Sequence, residues 1–141
     1  MAHEFARNRQ DAAVNPAALA LPNAGGGTVS TASIDLNAVT PFLAPMELQL
    51  VTPALTVGQL PNAETITYTL QDSTDDITFV DVMVLTEATQ TGAGGAGDAG
   101  DADGIRFSVP SNVSRYIEVE CVSSGGANDC SAASLTLTAR F

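Results

Sequence analysis

Thr65-Ile66-Thr67-Tyr68-Thr69-Leu70-Gln71 is the stretch whose reading decides the fold. Ile66, Tyr68 and Leu70 alternate with Thr65, Thr67, Thr69 and Gln71. That period of two puts three apolar side chains on one side of an extended chain and hydroxyls and an amide on the other. Thr and Tyr also suit a pleated, half-buried surface. Outward from here the same period recurs in Met46-Glu47-Leu48-Gln49-Leu50-Val51 and in Leu135-Thr136-Leu137-Thr138-Ala139-Arg140. Residues 29–36, 105–109 and 115–122 read as further strands. Residues 77–85 are apolar almost throughout and predict a strand, or a bent pair, buried more deeply than its neighbours. Pro41, Pro45, Pro53, Pro61 and Pro110 fall at or between strand ends, where a missing N–H does little harm. Seven to eight antiparallel strands with long connections predict an all-β sandwich, of jelly-roll or immunoglobulin-like type.

A chain of 141 residues fits one domain. Residues 28–141 read as that domain, and residues 1–27 as a flexible N-terminal arm. The arm holds His3, Arg7 and Arg9 and ends in Gly25-Gly26-Gly27, which reads as a hinge. Phe5, Arg7 and Arg9 give it apolar and cationic anchors for a neighbouring protein. Asn15 and Pro16 interrupt the apolar run that a secretory signal needs, so synthesis in a cytosol is expected. Residues 91–104, built of Gly, Ala, Asp and one Thr, predict a mobile surface loop that buries almost nothing.

Composition excludes more than it permits. There are sixteen acids against five Arg and no Lys, for a net charge of −11. Phosphate binding needs clustered cations, so nucleic acid is not an expected partner, and an anionic membrane surface is disfavoured for the same reason. No apolar run reaches the roughly eighteen residues of a membrane span. Aromatic residues are 5% of the chain with no Trp, too few for a stacking platform. His3 is the only histidine, so neither a Ser–His–Asp arrangement nor a histidine metal triad can be assembled. No enzymatic activity and no cofactor are expected.

Four groups of residues remain as candidates. Asp98, Asp101 and Asp103 before Gly104 resemble part of a calcium loop, but Pro110 stands where the bidentate Glu belongs. Asp72, Asp75 and Asp76 pair carboxylates as a glycosidase does, yet lie in a Ser- and Thr-containing turn where Asp caps local N–H groups. Cys121 and Cys130 read either as two small buried hydrophobes or as a disulfide across a hairpin. Arg106, Arg115 and Arg140 sit in strands beside apolar residues, either as ordinary outward-facing positions or as interface anchors that grip a partner's carboxylates.

The order of these phrases resembles a known family. Ser33-Ile34-Asp35-Leu36 is followed by the alternating 46–51 segment, then by Thr65-Ile66-Thr67-Tyr68-Thr69-Leu70-Gln71-Asp72-Ser73-Thr74-Asp75-Asp76 and Phe79-Val80. Ile105-Arg106-Phe107-Ser108-Val109-Pro110 and Arg115-Tyr116-Ile117-Glu118-Val119 come next, then a Ser-Gly-Gly turn into a Thr-rich last strand. The pattern, over residues 30–141, resembles the small jelly-roll cement or decoration proteins of tailed-bacteriophage heads. The resemblance implies a jelly roll made in the host bacterial cytoplasm and placed on the outer capsid surface. It further implies a homo-oligomer, a dimer or trimer, that bridges major capsid protein subunits against the pressure of packaged DNA. The long arm and the 91–104 loop depart from that pattern. A carbohydrate-binding or adhesive β-sandwich is the competing expectation, but it needs an aromatic-lined face, and two Tyr and five Phe supply little of one.

Overall fold

A computed structural model describes residues 16–36 and 46–140. Ten strands make up almost all of its regular structure: β1 (Leu19–Ala20), β2 (Thr28–Ser30), β3 (Ile34–Asp35), β4 (Glu47–Thr52), β5 (Thr65–Ser73), β6 (Val80–Val84), β7 (Gln90–Thr91), β8 (Asp101–Ser108), β9 (Tyr116–Ser123) and β10 (Ser134–Arg140). A 3₁₀ turn, Thr86–Ala88, follows β6. The protein is an all-β sandwich. No helix among the described residues is long and apolar enough to cross a membrane.

One sheet runs β1-β10-β4-β8 and the other β2-β9-β5-β6, with β3 also on β9 and β7 also on β5. Every pairing is antiparallel. The partners nest: β1 with β10, β2 and β3 with β9, β4 with β8, and β5 with β6 and β7. These pairs make one long hairpin, closed by the turn between β5 and β6 and rolled so that successive pairs fall alternately on the two sheets. A rolled hairpin of eight merged strands in two sheets has the topology of a jelly roll.

Period-two alternation fills the space between the sheets. Ile66, Tyr68 and Leu70 of β5 face Ile117, Val119 and Cys121 of β9 along one sheet. Leu48 and Leu50 of β4 lie beside Leu135, Leu137 and Ala139 of β10 along the other. All eleven are buried. Residues 29–36, expected as one strand, form β2 and β3 with a break at Thr31, whose hydroxyl accepts from the Val119 N–H at 3.0 Å while its own N–H donates to the Val119 carbonyl. A side-chain bond thus takes the place of a rung of the ladder where β2 gives way to β3.

The fold takes in part of the expected arm. Leu19 and Ala20 pair with Leu135 and Ser134, and Leu21 is 1% exposed in the core. The Leu21 N–H donates to the Ala133 carbonyl at 3.0 Å, and the Cys130 N–H to the Pro22 carbonyl at 2.9 Å. The Gly25-Gly26-Gly27 segment is a packed turn, not a hinge, in these residues. A Cβ on Gly25 would collide with the carbonyl oxygens of Gly125 and Ala127. Residues 1–15, with Phe5, Arg7 and Arg9, lie outside the described residues.

Residues 91–104 are also more ordered than their composition predicts. Leu55 and Asp98 exchange two backbone hydrogen bonds, at 2.7 and 2.9 Å. Gly97, at φ +74°, lies against the Leu55 carbonyl so closely that no side chain fits. Asp101 to Gly104 already belong to β8. Small residues bury little surface of their own, yet they let two backbones approach and bond directly.

Core membership of Leu21 gives a direct test. Leu21→Ala should lower unfolding free energy in urea by about 2–5 kcal/mol, the range for emptying a buried leucine site. Ile77→Ala, at a position 82% exposed, should change it by less than about 0.5 kcal/mol.

Candidate interaction surface

Residues 77–85, expected to lie deepest, form the most exposed apolar stretch of the described residues. Ile77 is 82%, Val80 62% and Val84 55% exposed. The cause is topological, because β6 ends its sheet and pairs only with β5. Val82 and Met83 pack partly against the core while Val80 and Val84 do not. A sequence signal for this did exist. Asp81 interrupts the apolar run, and a charge in the middle of a fully buried strand would need a buried partner, whereas edge strands commonly carry one.

The turn that leads into β6 is rigidly built. The Asp75 carboxylate accepts from the Ile77 N–H at 3.0 Å, the Thr78 N–H at 2.9 Å and the Ser73 hydroxyl at 2.8 Å. The Ser73 hydroxyl oxygen in turn accepts from the Asp76 N–H at 3.1 Å. Ile77 is therefore held outward by a hydrogen-bonded loop. These bonds, from Thr78 first and then Ser73 and Ile77, keep the Asp75 carboxyl below the ordinary aspartate range. The Asp75 carboxylate serves the turn, as its sequence context indicates, whereas the Asp72 carboxylate reaches out of it. Asp72 accepts from the Ser114 N–H at 2.6 Å.

Beside β6, a shallow crevice of about 250 Å³ separates it from β8, the edge strand of the other sheet. Met83, Val84, Leu85, Ile105 and Phe107 give it apolar walls, and Glu87 and Arg106 stand at its rim. Arg106 makes only a long contact to Glu47, 3.9 Å. Arg115 is elsewhere, next to β3, where it binds Asp35 through two hydrogen bonds of 2.9 and 2.8 Å and lies 4.8 Å over the Tyr116 ring. The Asp35 contact holds its guanidinium above the ordinary arginine range. Arg140 donates to the Gln49 side-chain oxygen at 2.6 Å, across β10 and β4. Arg106 and Arg140 therefore flank β4 on one face, around Glu47 and Gln49, while Arg115 lies on the other sheet, so the three do not gather into one patch.

Asp98, Asp101 and Asp103 are likewise not brought together. Asp98 accepts from the Gln90 amide at 2.9 Å, the Thr91 N–H at 3.1 Å and the Gly100 N–H at 2.8 Å. Asp101 accepts from the N–H groups of Asp103 and Gly104 at 3.1 and 3.0 Å. No three His, Cys, Asp or Glu side chains among the described residues are placed to hold a metal ion. Asp98 belongs instead to a buried polar chain that sequence reasoning missed. The Tyr68 hydroxyl donates to the Gln90 side-chain oxygen at 2.7 Å, and the Gln90 amide donates to Asp98 and to the Pro53 carbonyl at 2.7 Å. Burial pushes the Tyr68 hydroxyl far above its ordinary range, so it remains a donor. Three members on three separate segments carry no motif.

Cys121 and Cys130 are both free and both buried. Burial, followed by the neighbouring Cys130 and Glu120, pushes the Cys121 thiol up to about 12. Burial and then Asp129 raise Cys130. No protein-family model matches the sequence, and no curated protein matches it.

Two outcomes follow from the geometry of these groups. Native protein at pH 8 should leave both cysteines unreacted with Ellman's reagent, because a thiolate is the reacting species. In denaturant both should react, whereas a disulfide would give none in either state. Asp75, with its folded value below the ordinary 3.8, stabilises the turn above that value and ceases to do so as pH falls through its lower folded value. Amide exchange at Ile77 and Thr78 should therefore accelerate, relative to β5 and corrected for intrinsic rate, only on acidification below about pH 4. Unchanged protection there at pH 2 would show that the carboxylate does not hold the turn.

Proposed function

We propose that this chain is a capsid decoration protein, bound to the outside of a bacteriophage head and bridging major capsid protein subunits. The observation that carries the reading is where the resembling phrases fall. Ser33-Ile34-Asp35-Leu36 covers β3, the 46–51 segment all of β4 but Thr52, and Thr65-Ile66-Thr67-Tyr68-Thr69-Leu70-Gln71 the first seven residues of β5. Ile105-Arg106-Phe107-Ser108 ends β8, and Tyr116-Ile117-Glu118-Val119 begins β9. The phrases fall on strands of one sandwich in chain order, which supports reading the resemblance as one of architecture. An apolar, uncovered β6 edge adds support, because a surface of that kind is suited to contact with other protein.

Attachment on a shell would have to overcome charge. Each copy carries −11, and copies repel one another over about 8 Å at physiological salt. Apolar burial and backbone pairing, neither of which is screened, are the forces suited to offset that repulsion.

Mass spectrometry and negative-stain microscopy of particles purified from the source test the proposal. The protein should be present in many copies per head, and purified protein added to stripped heads should rebind and raise the temperature at which they release DNA. Its absence from the particles, together with failure to bind stripped heads, would overturn the reading. Binding to a glycan array with no affinity for heads would point to an adhesive sandwich.

A further inference from the structure

The edges of the two sheets are not alike. β1 is two residues long, β2 and β3 are two short pieces, and β8 carries Asp101, Asp103 and Arg106. Short, broken and charged edges resist pairing with other chains. β6 is the exception. It is five residues long with a single charge, Asp81, and beside it stand three of the four large exposed apolar side chains of the described residues. No described strand lies on its outer side.

The surroundings of this edge define what could cover it. Residues 72–87 contain Asp72, Asp75, Asp76, Asp81 and Glu87 and no Arg, Lys or His. A second β6 laid antiparallel on the first would bring like charges together, which disfavours a symmetric edge-to-edge pair. An extended segment with apolar and cationic residues on one side fits instead. This chain contains such a segment. In Phe5-Ala6-Arg7-Asn8-Arg9, Phe5, Arg7 and Arg9 recur with period two, and no acid occurs from Phe5 to Gln10.

The place where the described chain begins decides whose segment it is. Pro16 leads into β1, which ends its sheet at the opposite side from β8, and β2 stands likewise opposite β6. A chain's own residues 5–9 would have to cross the outside of a sheet to reach its β6. The fourth large exposed apolar side chain, Val57, lies in the turn between β4 and β5, so neither outer face offers an apolar track for that crossing. Nine residues between Arg9 and Leu19 span up to about 30 Å when extended, enough to leave the β1 edge and reach an adjacent molecule.

We propose that residues 5–9 of one copy add as a strand to the β6 edge of the next, with the side that bears Phe5, Arg7 and Arg9 on the face where Val84 and Asp81 lie, so that Phe5 meets Val84 and the guanidiniums meet Asp81 and the nearby Glu87. Main-chain hydrogen bonds supply affinity in such strand addition, and alternate side chains supply selectivity. Donor and acceptor lie on opposite sides of the sandwich, so the contact is head-to-tail and closes into a ring or runs on as a chain. It concerns free protein and stands apart from the capsid reading.

Sedimentation equilibrium of the full-length chain tests this. Wild type should associate, and R7E/R9E should weaken association at least about tenfold, the equivalent of one lost charge-assisted contact of modest strength. D81K/E87K should weaken it similarly, although it makes the chain less acidic and a general charge effect would strengthen association. The four substitutions combined restore a net charge of −11 and should recover most of the association. A wild type that stays monomeric, an R7E/R9E variant that associates normally, a D81K/E87K variant that associates more tightly, or a combined variant that fails to recover would each overturn the proposal. Should D81K/E87K lose its β signal by circular dichroism, a synthetic peptide of residues 1–15 decides. Excess peptide should dissociate the wild-type oligomer and the same peptide with R7E/R9E should not; equal effects, or none from either, would overturn it.

Discussion

The ladder between β5 and β9 is the constraint on which the rest of the molecule depends. Eight consecutive pairs, from Ile66 with Ser123 to Ser73 with Tyr116, fix which side chains point inward. Tyr68 stands opposite Cys121 and Leu70 opposite Val119, all buried. A slip of one residue would turn every one of these outward and bring Thr and Glu into the core. β2, β3, β6 and β7 then pair onto the two outer sides of this central pair and inherit its register. The exposure of β6 is thus a consequence of its position on β5, not of its own composition.

How much of this was legible in the sequence depended on whether a segment's fate was decided by its own residues. β9 and β10 each bury one face, and β5 sets its apolar side chains on one face although Thr69, Gln71 and Ser73 on the other are covered too, so their alternation records the fold directly. β1 has two residues and no period to read, and its partner comes from near the other end of the chain. Residues 77–85 show their hydropathy but not how many neighbours they will have. Their apolar character therefore indicated depth where the topology provides an edge. Arg115 and Asp35 were both visible, but the bidentate bond between residues 80 positions apart was not. The Gly97–Leu55 approach was hidden for a different reason, since the contact is between backbones and the side chains only stay out of the way.

The polar chain from Tyr68 through Gln90 to Asp98 ties those two kinds of segment together. Tyr68 belongs to the central ladder, and Asp98 to a loop of small residues with little apolar surface to hold it. Gln90 has both ends of its amide engaged, as donor to Asp98 and Pro53 and as acceptor from Tyr68. Such a link works only if all its members are in place, because a buried polar group left alone is costly. A loop that looks dispensable by composition is therefore fastened to the most buried ring among the described residues.

The nesting of the strands also bears on how the chain is made. β1 pairs with β10, so Leu19 waits for Leu135 and Ala20 for Ser134. On a ribosome the innermost hairpin, β5 with β6, can close early, while each pair outside it requires chain still to be synthesised. Until the last strand emerges, Leu21 has no Ala133 carbonyl to bond, and β4 lacks β10 on one side. The nascent protein thus carries open strand edges through most of its synthesis, a state prone to association with other nascent chains. Its excess of carboxylates, with 14 of the 16 acids located after Pro16, is then a safeguard for the unfinished molecule, holding half-built sandwiches apart until the two ends of the hairpin meet.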